Sequence, residues 1–127
     1  MIVGIGVDLA EVDRIRDALE RSATGERFRT RVFTDGERAY CERRKRKYES
    51  YAARFAAKEA TMKALGRGWS KDVTWLDIEV YRPRGGRPEI RLHGKTAEYS
   101  AKLGIKRIAL ALTHTAETAM AQVIAED

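Results

Sequence analysis

The chain opens MIVGIGVD, apolar up to its final acid and rich in valine and isoleucine, which predicts a buried strand from the N-terminus to about Asp8. From Leu9 to about Ser22 the apolar period lengthens. Val12, Ile15 and Leu19 mark one helical face, and Arg14 and Arg21, seven apart, share another line, giving an amphipathic helix with a basic side. TDGE at 34–37 fits a capping box with Thr34 as N-cap, so a second helix is expected to run on through YCERRKRK, whose basic end suits a helix C-terminus. A third helix covers roughly 50–65, where alanine, leucine, lysine and glutamate dominate, and Gly66 is placed to end it in the left-handed conformation. Beyond Gly68 the pattern turns to VTWLDIEVYR and EIRLH around PRGGRP, two adjacent strands or a hairpin. A short helix at about 95–103 closes at Gly104, and IKRIALALT and TAMAQVIA, separated by HTAE, form a second hairpin. The order βαααββαββ predicts an α+β fold, a mostly antiparallel sheet with helices packed on it.

Length adds that 127 residues suffice for one compact domain, 1–127, and no repeat, linker or low-complexity segment divides it. The net charge of +6, 25 Lys and Arg against 19 Asp and Glu, points to anionic partners: nucleic acid, an acidic protein or a phosphorylated metabolite. The single cysteine, Cys41, excludes an internal disulfide and a thiolate zinc site, and its charged helical context reads as structural. No apolar run approaches the roughly 20 residues that cross a bilayer, and the N-terminus lacks a signal-peptide pattern, so no membrane role and a cytoplasmic location are expected.

Candidate chemistry starts with GIGVD at 4–8. It lacks the third glycine of a dinucleotide loop and the Gly-Lys-Ser/Thr ending of a P-loop, which leaves close backbone packing as the role of Gly4 and Gly6. Asp8 reads either as an acid at a helix N-terminus or as a functional group at a strand end. In RFAAKEATMKALG, Phe55, Glu59, Met62 and Gly66 fall on one helical stripe, so Glu59 sits partly out of water, where a carboxylate is costly unless a cation meets it. The cation is either Lys63, at i+4, or a metal shared with Asp8. Two carboxylates plus phosphate oxygens suit Mg²⁺, leaving Lys63 as a point charge for a second phosphate. His114, at a strand end, reads as a hydrogen-bonded structural residue or a catalyst, and with only His93 besides it a histidine metal cluster is not expected. RRKRK at 43–47 is open between a solvated helix end, a nucleic-acid patch and a phosphate clamp, with only Tyr40 and Tyr48 nearby to stack bases.

Taken together, GIGVDLAEVDRI, RFAAKEATMKALG and ALTHT resemble, in order and spacing, the holo-[acyl-carrier-protein] synthases, the small bacterial class of 4′-phosphopantetheinyl transferases. The likeness runs over nearly the whole chain and includes TDGE, DIEV and AMAQVI. It implies Mg²⁺-dependent transfer of phosphopantetheine from coenzyme A to a serine of acyl carrier protein, releasing adenosine 3′,5′-bisphosphate in support of fatty acid biosynthesis. It also implies a homotrimer with coenzyme A held between subunits. On that pattern Asp8 and Glu59 are metal ligands, with Mn²⁺ as an alternative ion. Lys63 contacts the pyrophosphate, Gly66 admits the backbone to the cofactor, and Thr113, His114 and Thr115 line the coenzyme A site. Arg54, Lys45 and Arg46 lie near its phosphates. Thr113 stands where serine is more frequent. Glu59 through a bound water, or a carboxylate of the carrier, takes the serine proton. Carrier proteins of this kind are acidic, so Arg14 and Arg21 are expected to pair with the partner. The rival readings are a basic nucleic-acid-binding module, although the resemblance argues for no nucleic acid, and an inactive trimeric scaffold.

Overall fold

One long helix, α4 (Lys47–Leu65), is the axis of the computed structural model, which describes all of residues 1–127. Strand β1 (Ile2–Glu11), helices α1 (Val12–Glu20), α2 (Gly25–Val32) and α3 (Asp35–Glu42) precede it. A 3₁₀ turn at Trp75–Asp77, β2 (Ile78–Tyr81), β3 (Glu89–Leu92), α5 (Gly94–Lys102), β4 (Arg107–His114) and β5 (Thr118–Glu126) follow. The strands form two antiparallel sheets, one of three strands in the order β1-β5-β4 and one pairing β2 with β3. The architecture is α+β, as expected, with a fourth helix before the β-rich half.

Small residues let α4 lie close on the larger sheet. Ala56, Ala57, Ala60 and Ala64 of the helix are buried, as are Ala119, Ala121, Val123 and Ala125 of β5. A Cβ on Gly4 or Gly6 would run into the carbonyl oxygens of Ala64 and Ala60, so the two glycines are there for contact between backbones.

The capping box at TDGE forms as expected: Thr34 Oγ accepts from the Glu37 N–H at 3.2 Å, and Glu37 Oε1 accepts from the Thr34 N–H at 2.8 Å. Gly66 ends α4 at φ 74°. Four expectations need correction. β1 continues to Glu11 because its pairing with β5 does, and it is buried on one face only: Ile5, Val7 and Leu9 are 53, 45 and 65 % exposed on the other. Consequently α1 begins at Val12 and stops at Glu20, leaving Arg21 just past its end rather than on a helical line with Arg14. Helix α2 had no counterpart in the sequence pattern, since only Phe28 and Val32 mark its apolar side; it is held by Phe28 against Phe33 and Phe55. Helix α3 ends at Glu42, and residues 43–46 form a turn in which Arg46 (φ −106°, ψ 63°) is not helical. Helix propensity through RRKRK yields to packing, because α3 and α4 both turn a face into the same core.

Inside that core Lys58 and Glu37 form a fully buried ion pair, Nζ to Oε1 2.7 Å. Lys58 Nζ also donates to the Trp75 carbonyl at 2.9 Å, and Glu37 Oε2 accepts from the Val80 N–H at 2.7 Å, so the pair ties α3, α4 and β2 together. Burial holds the Lys58 ammonium below its usual range, against the pull of Glu37. Lys58→Met strands the carboxylate and is expected to lower stability by about 3–5 kcal/mol in urea unfolding. Cys41 is buried beside this pair, with its thiol pushed up to about 12, chiefly by burial, in keeping with a structural role.

Candidate active site

The contact between β1 and α4 sets the first cluster. Two residues beyond Gly6 on the same face of β1 comes Asp8, whose carboxylate faces α4 and accepts from Lys63 Nζ at 3.0 Å. The same ammonium donates to the Val7 carbonyl at 2.9 Å. Glu59, one turn before Lys63, is half-buried; burial first and the negative charge of Asp8 second push its carboxyl above the usual range, and Lys63 opposes them. Lys63 therefore pairs with Asp8 across elements, not with Glu59 along the helix. Two acids converge here with one cation between them, and Glu59 keeps an unpaired carboxylate.

Glu59 and Lys63 open onto a recess of about 420 Å³ that Gly66 and the loop Arg67–Trp69 complete, with Trp75 on its far side. Arg67 is braced by Asp72 at 2.6 Å, and the Ser70 hydroxyl accepts from the Asp72 and Val73 N–H groups, so the loop is tied down locally. Two hard carboxylates, a lysine one turn on and a glycine that exposes backbone suit a divalent ion of the Mg²⁺ kind together with phosphate oxygens.

The second cluster lies at the other end of α4. His114 Nδ1 is 2.9 Å from Glu49 Oε1; a carboxylate only accepts, so Nδ1 is the donor in this pair. Arg46 Nε reaches the other Glu49 oxygen at 3.9 Å. Lys45 and Arg46 line a shallow depression with Val12, Asp13, Arg16 and Ala116. Thr115 is committed to the β4–β5 turn, its hydroxyl accepting from the Glu117 and Thr118 N–H groups at 3.2 and 3.1 Å. Thr113, one residue before His114, lies on the opposite face of the sheet, level with Met120 and Leu9. Glu49 and Glu59 are ten residues apart, about 15 Å along the helix, so one chain does not bring the two clusters together.

Arg54 belongs to neither. It is 4 % exposed, its guanidinium stacks 3.9 Å over the Tyr40 ring, and its buried Nε has no partner. At 100° per residue it points about 140° away from Glu59 and 180° from Lys63 around α4. Arg14 and Arg21 are exposed and make no ion pair, with Arg14 at the mouth of a groove that Phe28 and Phe55 floor. Tyr40 lies under Arg44 and Arg54, while Tyr48 lies under Lys47 and donates to Glu20, so neither ring is bare beside RRKRK.

Sequence reasoning missed the two tryptophans. Trp75 stacks on Phe55 with ring centroids 5.2 Å apart, and Trp69 stands 70 % exposed over the recess. Their signal was present as the only tryptophans of the chain, flanking one glycine-led loop.

The family model of the 4′-phosphopantetheinyl transferase superfamily matches residues 4–121. A holo-[acyl-carrier-protein] synthase from Solibacter usitatus is 58 % identical over 127 residues, all of both chains. The crystal structure of a holo-[acyl-carrier-protein] synthase from Neisseria meningitidis superposes with a TM-score of 0.90 at 31 % identity, covering 100 % of each chain. That of a holo-(acyl-carrier-protein) synthase from Bacillus anthracis str. Ames in complex with CoA (3′,5′-ADP) gives 0.80 at 37 % identity, covering 98 % of this chain and 96 % of that one.

Proposed function

The chain belongs to the 4′-phosphopantetheinyl transferase superfamily and, within it, to the holo-[acyl-carrier-protein] synthases; from that premise we propose that it moves phosphopantetheine from coenzyme A to a serine of apo-acyl carrier protein in a Mg²⁺-dependent reaction. The observation that carries this reading is that Glu59 and Lys63 line one recess while Asp8, from the adjoining strand, pairs with Lys63 and acts on the charge of Glu59. In the reaction a bond forms between the serine Oγ and the phosphorus that bears the arm. The bond from that phosphorus to the bridging oxygen breaks, and adenosine 3′,5′-bisphosphate leaves. Asp8 and Glu59 would hold the ion, Mg²⁺ or in its place Mn²⁺, which supplies charge neutralisation at the bridging and leaving oxygens.

Lys63 is placed to leave Asp8 for a phosphate, a change of partner between two anions within its reach. Gly66 keeps the recess open on the side where a diphosphate would enter. Glu59, with its carboxyl raised, takes the serine proton through water, and a carboxylate of the carrier is the competitor. His114, Lys45 and Arg46 are the groups for the nucleotide phosphates. Their separation from Glu59 within one chain supports a site completed by a neighbouring subunit.

A homotrimer, the assembly this reading takes, is also supported by the bare side of the larger sheet. There Ile5, Ile124 and Ala109 form one row, Val7, Gln122 and Ala111 the next, and Leu9, Met120 and Thr113 a third. A face that apolar calls for a cover. Residues 1–127 act as one transferase domain of a cytoplasmic enzyme serving fatty acid biosynthesis. No helix is long and apolar enough to cross a membrane.

Mass spectrometry of apo-carrier incubated with the protein, coenzyme A and Mg²⁺ tests the reading by the added phosphopantetheine mass; no gain in mass with any carrier overturns it. The exposed Arg14 and Arg21 are assigned to carrier docking. Arg14→Glu is expected to raise KM for the carrier about tenfold and leave binding of coenzyme A within about twofold, measured by steady-state kinetics and calorimetry. Equal damage to both removes the assignment.

A further inference from the structure

Arg67 is the first residue beyond the left-handed Gly66, and its side chain comes back to line the Glu59 recess. Its N–H donates to the Met62 carbonyl at 3.1 Å, so the last turn of α4 fixes the backbone at this point. The guanidinium lies between two groups that are themselves held. NH1 donates to Asp72 Oδ2 at 2.6 Å, and the guanidinium carbon stands 5.3 Å from the centroid of the Tyr99 ring. Asp72 is tied on both sides, its N–H donating to the Ser70 hydroxyl and its carbonyl accepting from the hydroxyl of the fully buried Thr96, each at 3.3 Å. Thr96 and Tyr99 are three residues apart on α5, so one helix anchors both the acid and the ring.

A guanidinium has five N–H donors in a planar fork, and here only NH1 is engaged; the donors on Nε and NH2 meet no acceptor in the protein. An ion pair whose side chains are 45 and 34 % exposed adds little to stability, so bracing the loop is a weak reason for a cation in this recess. The other cation there, Lys63, is already met by Asp8 at 3.0 Å.

We propose that Arg67 is a further catalytic residue of the transfer, donating from its free edge to the adenosine-side phosphate of the diphosphate and meeting the charge that builds there as the phosphorus–oxygen bond breaks. The inference rests on the coenzyme A reading above. That phosphate carries one negative charge within coenzyme A, whereas the freed 5′-phosphate of adenosine 3′,5′-bisphosphate, a monoester, carries about 1.5–2. A cation set in place beforehand therefore favours the departing phosphate over the intact donor, and that difference lowers the barrier. The covalent step is unchanged. The serine Oγ–phosphorus bond forms, the phosphorus–bridging oxygen bond breaks, the bridging oxygen leaves with its electron pair on the adenosine 5′-phosphate, and the serine proton passes to the base. Arg67 supplies charge and hydrogen bonds and gives up no proton.

Arg67→Ala is expected to lower kcat about 10²-fold and to leave KM for coenzyme A within about threefold, in steady-state transfer to apo-carrier with Mg²⁺. Arg67→Lys keeps a point charge without the fork and is expected to lose about tenfold. Free guanidinium ion in the assay is expected to return about tenfold to Arg67→Ala, while NaCl at the same ionic strength returns nothing. Calorimetry gives a readout apart from turnover: Arg67→Ala is expected to weaken adenosine 3′,5′-bisphosphate about tenfold and coenzyme A no more than about twofold. Asp72→Ala breaks the same ion pair from its other end and leaves Tyr99 beside the guanidinium, so kcat is expected to fall no more than about fivefold.

An Arg67→Ala enzyme that transfers the arm at the parental rate overturns the assignment. Equal losses in Arg67→Ala and Asp72→Ala with no rescue by guanidinium overturn it too, and leave the pair as a loop brace. So does a matched loss of affinity for coenzyme A and adenosine 3′,5′-bisphosphate with kcat unchanged, which makes Arg67 a group for binding alone. Absence of transfer by the parent protein overturns the proposed function instead.

Discussion

Glu59→Gln is expected to lower kcat/KM for phosphopantetheine transfer by about 10²–10³-fold, the range seen when one pre-set electrostatic group is removed from a reaction that builds negative charge. The same variant is expected to be no less stable than the parent. Burial and Asp8 raise the folded-state carboxyl above its ordinary 4.5, so the folded protein binds more protons than the unfolded chain in the interval between 4.5 and the raised value. Stability lost through Glu59 therefore grows as pH rises across that interval, and the full penalty is present above it. Thermal melts without metal should show Glu59→Gln gaining on the parent as pH increases from about 4.5 and matching it below. Loss of activity with a gain in stability marks a group kept for its chemistry. A variant that transfers the arm at the parental rate removes Glu59 from the reaction, and parental rates for Asp8→Asn remove the shared ion.

The second large effect is Gly6→Ala. The added Cβ would lie 2.8 Å from both the Ala60 carbonyl carbon and the Ala64 nitrogen, and both are backbone, so neither can swing aside. Overpacking ordinarily costs about 1–3 kcal/mol where side chains can adjust, and here the strand itself must back off the helix, which places the expected loss at about 3 kcal/mol or more. For a chain of this length that is a fall in Tm of about 10 °C. Activity should fall about 10²-fold even where the protein remains folded, because Asp8 rides on the displaced strand and a shift near 1 Å is enough. Gly68→Ala is the stability control: nothing lies within 4 Å of its would-be Cβ, and Tm should hold. A normal melt for Gly6→Ala would mean that the strand–helix contact has slack.

These two residues also show what was legible in the chain. GIG read as a backbone contact because no nucleotide loop fits its spacing, and the contact is there against α4. TDGE and Gly66 were legible for the same reason, since each is a local rule satisfied by neighbours within a few residues. Helix α2 was not, because Phe28 finds its partners in Phe33 and Phe55, and a pairing twenty-seven positions away leaves no periodic trace. The break at 43–46 was hidden by residues that favour helix, overruled by the need of α3 and α4 to face one core. Within the site, Asp8, Glu59 and Lys63 were marked individually, but who pairs with whom was not. The i, i+4 spacing offered Glu59 as one of two partners for Lys63, the other being a phosphate, and a strand brought in from the start of the chain supplies Asp8 and the Val7 carbonyl instead. Arg54 shows the limit of a motif, since its side chain is spent on Tyr40 within the core.

The ammonium of Lys63 on Asp8 has a bearing on how the protein matures. In small metal-stapled domains the ligands repel one another until the ion arrives, and folding waits for it. Here a built-in counter-charge already stands beside Asp8, so the fold does not wait on a cation from outside to offset that acid.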